Sequence, residues 1–161
     1  MQNIVFIVLI GIGATLVMDL WALLRQQLFG IAPTNWGMVG RWIGHMRNGR
    51  FSHTSIANAD IVHSEKAIGW TAHYVIGIGY AVLLFLIFGE AWLLEPSLGP
   101  ALALGIATVV APFFLLQPGM GAGIAASKAP NPHAVRLHSV LNHAVFGFGL
   151  YLSALIVKFA L

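Results

Sequence analysis

Cysteine is absent from the 161 residues, which excludes disulfides and thiolate metal sites. Charge is scarce as well: 8% of residues are Asp, Glu, Lys or Arg, against about 25% in an ordinary soluble domain. Five acids stand against eight Lys and Arg, so a pI near 9.7 reflects a shortage of acids and not a basic patch. The cations form no dense run, which argues against nucleic acid as a partner. Also missing are His-Glu-x-x-His, Glu-x-x-His, a phosphate loop ending in Lys-Ser/Thr, and a nucleophile elbow. Nothing in the spacing points to an enzyme.

What is present is apolar: 58% of residues are hydrophobic and the mean hydropathy is +0.84. A soluble fold of this size could not hide so much apolar surface. Four runs, Ile4–Leu24, Ile68–Phe88, Leu98–Leu116 and Val140–Val157, can each cross a hydrocarbon core of roughly 30 Å at about 1.5 Å per residue. A backbone in lipid must satisfy its own hydrogen bonds, so the runs should be helices. The expectation is an all-α integral membrane four-helix bundle in one domain, 1–161. Its helices fall at 4–28, 66–88, 98–117 and 139–160, with loops at 29–65 and 118–138. The first run lacks a basic leader and an A-x-A-like site, so it reads as a retained helix.

Lys and Arg set the expected orientation. Arg25, Arg41, Arg47, Arg50 and Lys66 fall between runs one and two, and Lys128 and Arg136 between runs three and four. Only Lys158 lies on the other side. Both long loops should face the cytoplasm and both termini the periplasm. Within the first loop, Thr34 is placed to N-cap a short amphipathic helix lying in the interface. Trp36, Val39, Trp42, Ile43 and Met46 share its apolar face, with Arg41 and His45 opposite. Gly37, Gly40 and Gly44 weaken it. Ser64 is a plausible cap for the second span, Trp92 suits the outer interface, and Pro112 should kink the third span.

Counting from the inner ends places Asp19, His73, His143 and Gln117 at similar depth, one per helix, with His138 and Asn142 beside His143. Each shares a stripe at helical spacing that includes small residues: Gly11, Thr15, Ala22 and Gln26 with Asp19; Gly69, Gly77 and Ala81 with His73; Ser139, Gly147 and Tyr151 with His143. Such stripes let membrane helices approach closely, so the polar groups should turn toward neighbouring helices. Asp19, His73 and His143 together suit a transition metal. His73 and His143 alone could ligate haem b axially, and Asp19 could carry a proton. Thr15, Gln117, His138 and Asn142 form the supporting polar cluster. The plain alternative is that Asp19 makes a structural hydrogen bond and the histidines are satisfied at helix ends. On the same plain alternative His45, His53, His63, His133 and His138 read as solvated loop residues. In the second loop, Gly119, Gly121, Gly123 and Lys128 could cup an anion such as a lipid phosphate.

The stretches "GIGATLVMDLWALL", "NWGMVGRWIGH", "GWTAHYVIGI", "LLQPGMGAGIAASKAPNP" and "HAVFGFGLYL" resemble the bacterial DUF2938 family of small membrane proteins over nearly the whole chain. The resemblance implies a multi-pass protein of the bacterial inner membrane. It carries over no activity and no site residues. Three functional expectations stand beside it: a binding or redox protein with an intramembrane Asp/His site, a proton-coupled transporter or channel acting as a homo-oligomer, and an accessory subunit packed against a larger membrane complex.

Overall fold

The computed structural model describes residues 2–159, and the expected end of the last helix at residue 160 lies outside them. Among the described residues every regular element is helical. The long ones are α1 (Gln2–Phe29), α2 (Trp36–Met46), α3 (Glu65–Leu94), α4 (Leu98–Ala107) and α6 (Pro132–Phe159), with a short α5 (Gln117–Gly119). Four helical stretches among the described residues are long and apolar enough to cross a membrane: Asn3–Phe29, Glu65–Leu94, Leu98–Gly119 and Pro132–Phe159. The chain falls into two compact units, one of residues 1–33, 74–108 and 141–161, the other of 34–73 and 109–140.

Local chemistry sets the breaks in these helices. Gly89 takes φ 68° and ψ −169°, a region open almost only to glycine, and it kinks α3 near the point where the apolar run stops. Pro112 cannot donate to the helical ladder, and the turn after it, Pro112–Leu116, is π-helical. α6 starts at Pro132, inside the stretch expected to be loop up to 138. Asn131 explains the early start: its side chain accepts from the Ala134 N–H at 3.2 Å, and proline suits the first helical position.

The first unit is built on close helix crossings. A Cβ on Gly11 would lie 2.5 Å from Ile78 Cα, and one on Gly149 2.9 Å from Ala14 Cα. One on Gly105 would lie 2.5 Å from Gly147 Cα. Backbone meets backbone at all three places, the use expected of small residues in membrane helices. Around them Ile10, Ala14, Leu84, Ala101, Leu104, Phe146 and Leu150 form the buried core. Trp92 belongs to this core as well; its Nε1–H donates to the Ser97 carbonyl at 3.1 Å. A satisfied indole can be buried.

The second unit buries both sides of α2: Val39, on the apolar side, is 3% exposed, and the side expected to meet water is covered as well. Arg41 and His45 face protein. Arg41 Nε and Nη2 donate to the two Glu65 carboxylate oxygens at 2.8 and 2.9 Å. Its Nη1 reaches the carbonyls of Ile56, Ala57 and Ala59 at 3.2–3.3 Å. A fork that finds a carboxylate and three carbonyls has no need of water. The Glu65 hydrogen bond raises the Arg41 pKa above its already high value. The glycines of α2 are what permit this: a Cβ on Gly40 would strike the Glu65 carbonyl, and one on Gly44 would lie 2.6 Å from Val62 Cγ1. The cap is Asn35, whose side chain accepts from the Met38 N–H, and not Thr34. Ser64 sits at φ 60°, immediately before α3.

Candidate functional site

In the first unit Asp19 lies two-thirds of the way along α1 and is only partly exposed. The Tyr74 hydroxyl, at the start of this unit's part of α3, donates to its Oδ2 at 2.9 Å. One turn before Asp19, Thr15 is fully buried and donates to the Gly11 carbonyl at 2.8 Å. Gly77 packs directly on the Thr15 hydroxyl. Thr15 therefore seats the α1–α3 crossing, which brings Tyr74 within reach of the acid.

The same unit contains His143. Thr108 Oγ1 lies 2.6 Å from the Gly105 carbonyl and 2.9 Å from His143 Nδ1. A hydroxyl has one proton, and a carbonyl can only accept. With that proton on Gly105, Oγ1 accepts from Nδ1–H, leaving the lone pair of His143 on Nε2. Asn142 Oδ1 is buried here without a hydrogen-bond partner among the described residues.

Arg25 was expected only as a marker of the inner flank. It is 4% exposed, and its Nε and Nη1 have no hydrogen-bond partner among the described residues. Its guanidinium carbon lies 5.9 Å from the centroid of the Trp21 ring, and Trp21 Nε1 is also buried and unpartnered. The sequence signal was simply a cation inside a helix that continues to Phe29. Basic residues near the end of a membrane helix ordinarily stretch toward water, which is why its burial was not foreseen.

In the second unit His73 stacks on Trp36, with ring centroids 3.8 Å apart, and meets Trp70 edge-on at 5.7 Å. Gln117 donates to Ser139 at 3.3 Å while its Oε1, like His138 Nδ1, is buried without a hydrogen-bond partner among the described residues. His45 and His53, expected to be solvated, are 8% and 5% exposed. Their rings meet edge-to-face at 5.0 Å, and His45 Nε2 binds the Asp60 carbonyl at 2.9 Å.

The glycine-rich stretch after Gln117 is held by its neighbours. The Gly119 carbonyl accepts from His53 N–H at 2.9 Å, and the Met120 carbonyl from Ile56 N–H at 3.0 Å. Gly119 packs on the Trp42 ring, and Gly121, at φ 96°, packs on the Thr54 carbonyl. The N–H groups of Met120, Gly121, Ala122, Ala126, Ser127, Lys128 and Ala129 donate to carbonyls of residues 116–126, so these seven are not free for an anion. Ala125 and Ala126 are both left-handed, at φ 47° and 56°, and Arg136 Nε grips the Ala125 carbonyl at 2.8 Å.

For metal binding, Asp19 and His143 belong to the first unit and His73 to the second. Among the described residues no group of three or more His, Asp or Glu side chains is placed to hold a metal ion. The sequence model of a family described as a protein of unknown function, DUF2938, matches residues 8–157. No curated protein and no solved structure matches the chain.

Proposed function

The chain belongs to the DUF2938 family, and from that premise we propose that it is a proton-linked membrane carrier whose proton-exchanging group is Asp19. The supporting observation is the Tyr74–Asp19 hydrogen bond of 2.9 Å inside two helices apolar enough to span a membrane. An ionisable group in such a helix is costly to insert and is by default a functional candidate. Tyr74 is the positioning residue. Its O–H donates to the carboxylate, stabilising the charged form. When Asp19 gains a proton, the same phenol oxygen can accept from the acid, so the contact survives both states.

His143 supplies a second proton acceptor of the same unit, with Nε2 carrying the lone pair as argued above. The carrier resides in the bacterial inner membrane with its two long connections in the cytoplasm. Four spans are few for a transport path, so the working form is a homo-oligomer. In proteoliposomes loaded with a pH-sensitive dye, a potassium diffusion potential should drive proton entry. Asp19→Asn should abolish that entry and Tyr74→Phe should slow it. Equal entry in wild type and Asp19→Asn, or none in wild type, would overturn the proposal.

A further inference from the structure

Arg25 presents a problem that the rest of the first unit does not solve. Its guanidinium cannot shed its proton. It is 96% buried, yet Nε and Nη1 bond to nothing among the described residues. Burying a charge without a partner is among the most expensive arrangements available to a protein. The acid of its own helix, Asp19, is six residues away. That is roughly 9 Å along the axis and about 120° around it, and its carboxylate takes the Tyr74 hydroxyl.

Trp21 lies one turn before Arg25, on the same face. Its ring is the guanidinium's neighbour at 5.9 Å, and its Nε1–H is buried and unpartnered as well. The two side chains therefore offer at least three N–H donors. Neither an indole nor a guanidinium can accept a hydrogen bond. A cluster consisting only of donors, with a positive charge at its centre, is complementary to a group consisting only of acceptors with a negative charge. Oxyanions fit: a carboxylate or a phosphate receives a guanidinium fork along two parallel bonds and has oxygens left for the indole.

We propose that Arg25 and Trp21 form a binding site for an oxyanion, either the phosphate of an anionic phospholipid or a free phosphate or carboxylate ion. The indole ring shields one side of the cation and its Nε1–H adds a third donor. The site is independent of proton exchange at Asp19, and either idea can fail without the other.

The test compares wild type with Arg25→Met, Arg25→Lys and Trp21→Phe, each purified in uncharged detergent. Melting is followed without additive, with inorganic phosphate, with acetate and with phosphatidylglycerol; native mass spectrometry counts retained phosphatidylglycerol. Without additive, Arg25→Met should melt at or above wild type, because it removes an unpaired buried charge. With the right oxyanion the order should reverse. Affinity should fall roughly 10- to 100-fold in Arg25→Met. Arg25→Lys, which keeps charge without the fork, should fall between the two. Trp21→Phe, which keeps a ring without the donor, should lose about tenfold. Saturable stabilisation by phosphate or acetate identifies a free ion; one phosphatidylglycerol per chain, lost in Arg25→Met, identifies a lipid.

The proposal is overturned by equal responses of wild type and Arg25→Met to every probe, or by no response in wild type. Lower melting of Arg25→Met without additive also overturns it, because that would reveal a protein partner for the charge. Unchanged affinity in Trp21→Phe overturns the two-residue assignment.

Discussion

The Arg41–Glu65 pair offers the sharpest test of how the second unit is held. Their side chains are 11% and 17% exposed, so water screens the pair little. The guanidinium donates five hydrogen bonds: two to Glu65 and one each to the carbonyls of Ile56, Ala57 and Ala59. Arg41→Met removes all five. Glu65 then keeps only the Val62 N–H at 3.3 Å, and three carbonyls lose a donor. Breaking a buried pair from one side costs about 3–5 kcal/mol, and the upper half of that range is expected because the carbonyls are stranded too. Glu65→Gln should cost less, since the amide oxygen still accepts one N–H. In Arg41→Met/Glu65→Gln no carboxylate is left behind, so the double variant should fall short of the sum of the singles by at least about 1 kcal/mol. Trp36, Trp42 and Trp70 lie in this unit and Trp21 and Trp92 in the other, so tryptophan emission during unfolding in mixed micelles, in a Trp21→Phe/Trp92→Phe background, reports it directly. A cost below about 1 kcal/mol for Arg41→Met, or strict additivity, would refute the reasoning.

Three further outcomes follow from backbone geometry. Gly69→Ala should destabilise by about 1–3 kcal/mol, read as a lower melting temperature, because its Cβ would strike the Trp36 carbonyl and main chain cannot easily yield. Gly147→Ala should cost a similar amount, its Cβ being 2.7 Å from the Ala101 carbonyl. Ala125→Gly should stabilise by about 1 kcal/mol, since φ 47° is strained for alanine and free for glycine; a lower melting temperature there would contradict the assigned backbone.

Much of this was legible in the sequence, for reasons that differ by residue. The spans were readable because length and hydropathy are local quantities. Pro112 was readable because its lost donor acts within one turn. The face of α2 was not. Periodicity groups Arg41 with His45 but cannot say that this side is buried along with the Val39 side; the answer depends on Glu65, 24 residues away. The glycines of α2 looked like weak helix formers for the same reason, and their value appears only once the Glu65 carbonyl lies against Gly40 and the Val62 side chain against Gly44. Asn131-Pro132 was a readable helix start, masked by the glycine-rich stretch just before it. Asp19 stood out as an acid in an apolar run, while its partner Tyr74 did not, because a tyrosine near the end of a span is ordinary. Arg25 was misjudged because the rule that cations mark flanks concerns orientation and is silent about burial.

The central claim, that Asp19 exchanges a proton beside Tyr74, is tested most directly by infrared difference spectroscopy across a pH titration of the reconstituted protein. A carbonyl-stretch band of a protonated carboxyl should rise as pH falls, vanish in Asp19→Asn and change frequency in Tyr74→Phe. A spectrum that Asp19→Asn leaves unaltered would contradict the account.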